Sequence, residues 1–284
     1  MKVLRTIAEC RAERAKLKGR VALVPTMGAL HAGHMTLVTE AKKRAPNVVA
    51  SIFVNPTQFG PREDFNRYPR PIEDDLRKCA EAGVGIVFNP PVEEMYRPGE
   101  PQISIDVPQL SEVLEGKHRP GHFKGVCQVV AKLFHIVDPH VAVFGQKDFQ
   151  QQRVIRAMVE ALDWPIEVFG CPTVRERDGL AMSSRNQYLT NDERERALSI
   201  SRALFLAQGE IKAGVKQANR ITALMQNTLL DPGKLGRVPV SIEYVAVVDP
   251  NTLKGVELIT GPTLLAIAAR VGTTRLIDNV LVEP

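Results

Sequence analysis

The sequence lacks any apolar run long enough to span a bilayer. Its 44% hydrophobic and 24% charged residues are ordinary for a soluble globular protein, so no membrane partner is expected. Near the N-terminus Arg5, Glu9, Arg11, Glu13, Arg14 and Lys16 interrupt the segment where a signal peptide needs an unbroken apolar core, which points to the cytoplasm. Cysteine is scarce and scattered: Cys10, Cys79, Cys127 and Cys171 form no Cys-x-x-Cys pair and no zinc or disulfide spacing, so all four read as reduced thiols. No internal repeat or low-complexity tract is present, which excludes a solenoid. No Gly-x-Gly-x-x-Gly fingerprint follows the first strong strand, so nicotinamide or flavin hydride chemistry is disfavoured. The net charge of +5 comes from 37 basic and 32 acidic residues spread along the chain. That excess suits small anionic substrates, and no nucleic-acid partner is expected.

What is present is led by Val21-Ala-Leu-Val-Pro-Thr-Met-Gly-Ala-Leu-His-Ala-Gly-His34. Residues 21–24 form an apolar run that a parallel sheet can bury on both faces, and Pro25 is expected to end it. Gly28 and Gly33 leave room for a ligand to approach backbone, and Met35, Val38 and Ala41 then repeat at helical spacing. A helix N-terminus thus follows the turn. Its unpaired N–H groups favour an anion, and His31 and His34, three apart, project to one side of the opening turn. The pattern points to a phosphate site; a His-x-x-His pair alone would equally suit two loop histidines of no function.

Strand-like runs at 21–24, 48–54, 84–88, 141–144 and 166–169 alternate with helix-like stretches at 36–44, 72–82, 126–136 and 150–162. This rhythm predicts an α/β fold, a Rossmann-like parallel sheet with ligands outside the strand C-termini. Ahead of it, Thr6 and Glu9 form a capping-box pair opening a first helix of about ten residues that stops before Gly19. At 284 residues, two unequal domains are expected, with a boundary near Thr173: a Rossmann-like domain over 1–173 and a smaller α+β domain over 174–284. In the latter, Thr190 and Glu193 form a second capping-box pair opening a helix to about Ala213, and a helix spans 217–230. Asp231-Pro232-Gly233 is expected to turn the chain before β-rich segments at 240–248, 263–269 and 274–282.

Other segments admit two readings. Asn55-Pro56 aims Asn55 and Gln58 toward the sheet's C-terminal edge, where carboxamides can read hydroxyls or a carboxylate; Asn-Pro is also a common turn former. His118-Arg-Pro-Gly-His122, with Lys117 and Lys124, is either an anion-handling loop or a solvated charged turn, and zinc is rejected for want of further ligands. Phe144-Gly-Gln-Lys-Asp148 sets Lys147 and Asp148 at a strand end with Gln151 one turn into the next helix; Lys147 is a candidate phosphate cation or a surface lysine. Met182-Ser-Ser-Arg-Asn186, after Arg175, offers hydroxyls and a guanidinium to polyphosphate, or is an ordinary serine-rich turn. Asp74 and Asp75 are weak candidates for holding magnesium, with a solvated helix face preferred.

Together, the segments 25–34, 53–59, 118–125, 144–148 and 183–186 resemble the pantothenate synthetase (pantoate-beta-alanine ligase) family in order and spacing over nearly the whole chain. The resemblance implies a Rossmann-like nucleotidyltransferase fold and an AMP-forming, amide-forming ligase. ATP and pantoate would give pantoyl adenylate and pyrophosphate, and beta-alanine would then displace AMP to yield pantothenate. It assigns ATP to Met27, Gly28, Ala29, Leu30, His31, Ala32, Gly33, His34, Gly145, Gln146, Lys147, Asp148, Val174, Met182, Ser183, Ser184 and Arg185. Pantoate falls to Gln58 and Gln151, with Asn55 supporting the pocket. His34 takes the catalytic role, with His31 and Lys147 beside it. The resemblance also implies Mg²⁺, a cytoplasmic homodimer, and a C-terminal domain able to close over ATP. Met35 and Cys127-Gln128 depart from the family's pattern without removing an assigned polar group. Rival readings are another histidine-motif nucleotidyltransferase acting on a cofactor precursor, a nucleotide sensor without turnover, and a tRNA-binding relative.

Overall fold

The structure is a computed structural model that describes residues 1–61, 63–101, 103–231 and 238–284. Strands run β1 (Lys2–Leu4), β2 (Val21–Thr26), β3 (Asn47–Ile52), β4 (Ile86–Phe88), β5 (Val141–Gly145), β6 (Glu167–Cys171), β7 (Val240–Val248), β8 (Thr263–Val271) and β9 (Thr274–Val282). Helices run α1 (Ile7–Arg14), α2 (Ala32–Arg44), α3 (Ile72–Glu81), α4 (Val92–Met95), α5 (Pro108–Ser111), α6 (Glu115–His118), α7 (His122–Val137), α8 (Phe149–Ala161), α9 (Asn191–Lys212) and α10 (Ala218–Leu230). The chain forms two compact units. The first comprises Met1–Ser111, Arg119–Gln146 and Gln151–Pro172; the second comprises Glu112–His118, Lys147–Gln150 and Thr173–Pro284.

Among the described residues the first unit has one six-stranded sheet in the order β1-β4-β3-β2-β5-β6, with every recorded pairing parallel. Central strands of such a sheet face helices on both sides, so they must be apolar throughout, and Val21, Ala22, Leu23 and Val24 are all fully buried. Each branched side chain removed from water there contributes about 1.5–3 kcal/mol. Successive crossovers carry the chain from β2 outward through β3 to β4, then back to β5 and β6 on the other side. The order reverses between β2 and β5, which is where open α/β sheets bind ligands. The loop after β2 holds His31 and His34, and β5 ends at Gly145.

Pro25 does not end its strand: β2 continues to Thr26, with Pro25 opposite Ser51 of β3. Alternate residues of a strand address opposite neighbours, and the carbonyl of Thr26 accepts from Phe53 on the β3 side. The missing N–H of Pro25 therefore faces β5, whose pairing with β2 stops at Leu23, so no ladder bond is lost. Strand β1, absent from the sequence reading, is a short edge of three residues parallel to β4. Helix α7 starts at His122 rather than near Val126, because Gly121 adopts φ +83° and turns the chain into it.

The second unit pairs β7, β8 and β9 antiparallel, with a register shift between Ile242 and Tyr244. Ile200, Leu204, Met225, Leu229, Leu265 and Ile267 from α9, α10 and β8 form its core. Both expected capping boxes are present: Thr6 Oγ1 accepts from Glu9 N–H at the start of α1, and Thr190 Oγ1 from Glu193 N–H at the start of α9, each at 3.2 Å. A single boundary near Thr173 omits two short segments, 112–118 and 147–150, that also belong to this unit. The turn expected at Pro232-Gly233 lies outside the described residues.

Candidate active site

The loop joining β2 to α2 is shaped by side chains accepting from four successive backbone amides. Gly28 N–H donates to Thr26 Oγ1 at 3.2 Å, Ala29 N–H to Asp75 Oδ2 at 2.8 Å, Leu30 N–H to Asp75 Oδ1 at 2.7 Å, and His31 N–H to His34 Nδ1 at 3.3 Å. Gly28 and Ala29 are both left-handed, with φ +81° and +50°. A Cβ at Gly28 would approach Asp75 Oδ2 at 2.9 Å and Ile52 Cγ2 at 3.1 Å, so glycine is required there for both reasons. His31 is the N-cap of α2, and the His31 and His34 rings lie 4.1 Å apart between centroids. Because a backbone N–H can only donate, His34 Nδ1 accepts and the neutral ring carries its proton on Nε2. That assignment gives His34 a defined donor atom.

Asn55 and Gln58 sit on the turn after β3, and both are buried. Asn55 is a hub: its Oδ1 accepts from Tyr96 Oη at 2.8 Å and Thr57 Oγ1 at 3.0 Å, while its Nδ2 donates to Gln58 Oε1 and Gly125 O, each at 3.1 Å. With Oε1 so engaged, Gln58 turns its Nε2 toward Met27 Sδ at 3.0 Å, which joins the carboxamide to the histidine loop. A Cβ at Gly125 would collide with the Thr57 carbonyl, so glycine lets α7 lie against this turn.

The basic loop 118–124 meets a carboxylate of the chain itself. Arg119 clamps Glu63 through Nε at 2.8 Å and Nη2 at 2.5 Å, and its Nη1 donates to His122 Nε2 at 3.1 Å. Guanidinium has no acceptor, so His122 carries its proton on Nδ1 and gives it to Gln58 O at 2.8 Å. These groups hold the backbone of Gln58. Burial pulls the Glu63 carboxyl upward, but the Arg119 hydrogen bonds and charge outweigh it and hold it below the usual carboxylate range. Gln151 lies half-buried in α8.

On the second unit, Lys147 sits in a short 3₁₀ turn after β5, its Nζ 3.7 Å from Asp148 Oδ1, and its backbone carbonyl accepts from Asn279 Nδ2 at 2.8 Å. Ser183 Oγ accepts from Arg185 N–H at 3.2 Å and caps the turn Ser184–Tyr188, while Met182 N–H donates to Val174 O at 3.0 Å. Arg175 is bound bidentately by the buried Asp278 at 2.6 and 2.9 Å and is thereby committed. Asn279, Tyr96, Glu63 and Asp75 were not singled out from sequence as supports of these loops. For Asp75 a signal existed: Ile72, Asp75, Leu76 and Cys79 share one helix stripe, so Asp75 belongs to the inner face of α3.

Asp75 is therefore not part of a solvated face but 1% exposed; burial raises its carboxyl, and the Leu30 and Ala29 amides pull it back. Both Asp75 oxygens take backbone amides and Asp74 pairs with Arg77 and Lys78, so both carboxylates are engaged within the fold. Among the described residues no cluster of three or more His, Cys, Asp or Glu side chains is arranged to hold a metal, and no helix is long and apolar enough to cross a membrane. The cysteines are all free and buried. Desolvation pushes the thiols of Cys10, Cys79 and Cys171 up to about 11 and that of Cys127 to about 12.

The sequence model of the family described as pantoate-beta-alanine ligase matches residues 2–281. The chain belongs to the pantoate-beta-alanine ligase family. It is 51% identical to a pantothenate synthetase of Moorella thermoacetica, covering 100% of this chain and 99% of that one. A crystal structure of pantothenate synthetase from Thermus thermophilus superposes with TM-score 0.92 at 43% identity, over 100% of both chains. A pantoate-beta-alanine ligase from Francisella tularensis, solved as a complex with beta-gamma ATP and beta-alanine, superposes with TM-score 0.79 at 31% identity, over 99% of this chain and 97% of that one.

Proposed function

We propose that the chain condenses pantoate with beta-alanine, converting ATP to AMP and pyrophosphate through pantoyl adenylate. The observation that carries this reading within the fold is the link from Gln58 Nε2 to Met27 Sδ, which sets a buried carboxamide beside the loop bearing His31 and His34. A phosphate reader and a reader of hydroxyl or carboxylate groups thus share one edge of one sheet. A sensor or tRNA-binding relative needs the first and has no use for the second.

The chemistry follows from the groups. Pantoate's carboxylate is ionised near neutral pH, so its oxygen attacks the α-phosphorus of ATP without a base. The bond from that phosphorus to the bridging oxygen breaks, and pyrophosphate leaves with the electron pair. Negative charge grows on the phosphate oxygens, and His34 Nε2–H is the proposed donor that strengthens there, with His31 as its companion. Met27, Gly28, Ala29, Leu30, Ala32 and Gly33 form the loop proposed to line the nucleotide. Gly145, Gln146, Lys147, Asp148, Val174, Met182, Ser183, Ser184 and Arg185 are the remaining proposed ATP contacts. Gln58 and Gln151 are proposed for pantoate, with Asn55 fixing the Gln58 amide. In the second half-reaction the free amine of beta-alanine attacks the acyl carbon, the acyl–oxygen bond breaks with its electron pair leaving on AMP, and the amine's proton passes to solvent or to the departing phosphate. Mg²⁺ is proposed as part of the ATP substrate complex rather than as an ion resident on Asp74 or Asp75.

The test is AMP formation dependent on both pantoate and beta-alanine, together with pantoate-dependent exchange of labelled pyrophosphate into ATP. Exchange driven instead by a phosphorylated precursor would transfer the site to another nucleotidyltransferase reaction, and ATP binding without exchange would make the chain a sensor. A cytoplasmic homodimer is proposed on the family resemblance, and light scattering at micromolar concentration gives the mass that decides the oligomeric state.

A further inference from the structure

Helix α3 grips the histidine loop through the backbone of Ala29 and Leu30. Asp75, one turn into the helix, accepts the amides of Ala29 and Leu30 on its two oxygens at 2.8 and 2.7 Å. Lys78, one turn further on the same face, donates from Nζ to the Leu30 carbonyl at 2.5 Å and is itself held by Asp74 Oδ2 at 2.6 Å. Leu30 thus has its N–H and its C=O held by two charged side chains of opposite sign, spaced i and i+3. The gripped amides belong to Ala29, the second of two consecutive left-handed positions of which Gly28 is the first, and to Leu30 behind it; a non-glycine residue such as Ala29 holds that conformation only when its surroundings impose it. The next amide along, that of His31, is the one that fixes Nδ1 of His34.

We infer that Asp75 and Lys78 are positioning residues for the adenylation half-reaction, setting through the Ala29-Leu30 backbone the ring orientation and tautomer of His34. The inference rests on the catalytic reading of His34 given above. Asp75 touches no substrate in this scheme. It acts by keeping the His31 N–H aimed at His34 Nδ1, so that the proton of the neutral imidazole stays on Nε2. A misplacement of about 1 Å at a group that must meet developing charge costs about 10²-fold in rate.

The test uses Asp75→Asn, an isosteric change that keeps one acceptor and turns an amide N–H₂ toward the second backbone N–H. Lys78→Met is the second variant; it leaves Asp75 in place and holds the proposal open to test where Asp75→Asn fails to fold. Two readouts are taken on the full-length chain. ¹⁵N chemical shifts of the His34 ring report the tautomer with no substrate present, and pantoate-dependent pyrophosphate exchange reports adenylation. Expected for Asp75→Asn is a His34 spectrum moved from the pure Nε2–H form toward a tautomer mixture, with exchange down about 10²-fold. For Lys78→Met the same spectral change with a smaller rate loss is expected, and Lys78→Arg restores both. A wild-type His34 spectrum in the folded variants overturns the inference whether or not exchange falls, and so does undiminished exchange. Absence of pantoate-dependent exchange in the wild-type chain would instead remove the functional reading, while the spectral comparison would still report on the clamp.

Discussion

Asn279 Nδ2 donates to the backbone carbonyl of Lys147 at 2.8 Å, across 132 positions of sequence. The lysine is the middle residue of a three-residue turn, so a buried amide on β9 holds the backbone at the centre of that turn. Asn279→Ala removes one neutral hydrogen bond, worth about 0.5–1.5 kcal/mol. The expected result is kcat for AMP formation lower by about 3- to 10-fold, with a melting temperature lower by about 1–6 °C. Equal kcat in wild type and variant counts against Lys147 depending on this contact.

His34→Ala removes the proposed charge-stabilising donor. Adenylation in single-turnover quench-flow is expected to fall by about 10² to 10³, the range for losing one preorganised donor. Unaltered adenylation would dismiss His34 from its role.

The Arg119–Glu63 pair makes a pH prediction. Glu63 titrates lower in the folded chain than its unfolded value of about 4.3, so the folded state binds that proton less readily. Its stabilisation is complete above the unfolded value and is lost as pH falls through the folded one. Glu63→Gln should therefore flatten the dependence of melting temperature on pH below about 4.3. A variant as steep as wild type in acid would show that the pair contributes nothing there.

Arg275 reaches Glu115 through Nη1 at 2.8 Å and Nη2 at 2.6 Å, and Glu243 through Nε at 2.8 Å. Tyr244 Oη adds a hydrogen bond to Glu115 Oε1 at 3.0 Å. Arg275→Met strips a buried carboxylate of its counter-charge and is expected to cost about 3–5 kcal/mol in urea unfolding. Adding Glu115→Gln should recover part of that loss, and strictly additive single variants would contradict the coupling.

The sheet and its loops were legible because local chemistry announces them. Apolar runs bounded by Gly28, Asn55 or Gly145 mark strands that stop at the sheet's C-terminal edge, and Thr6–Glu9 and Thr190–Glu193 mark helix starts. What stayed hidden depends on distant partners. Pro25 continues its strand because β5 stops short, a fact about a neighbour far along the chain. Segments 112–118 and 147–150 join the second unit through Glu115, Gln150 and Asn279, whose partners lie tens to more than a hundred residues away. The basic loop resembled an anion reader because composition shows the charge of Arg119 without showing Glu63, its counter-charge. Asp75 was obscured in the same way: a charge-rich helix suggests solvent, whereas the stripe it shares with Ile72, Leu76 and Cys79 places it inward.

The buried, high-titrating thiols have a practical corollary. At neutral pH a maleimide finds almost no thiolate on the native chain, so one cysteine introduced on an exposed helix face becomes the sole labelling handle. Fluorophores or spin probes can then be attached to the working enzyme without first stripping its native cysteines, each of which fills core volume that a smaller residue would leave empty.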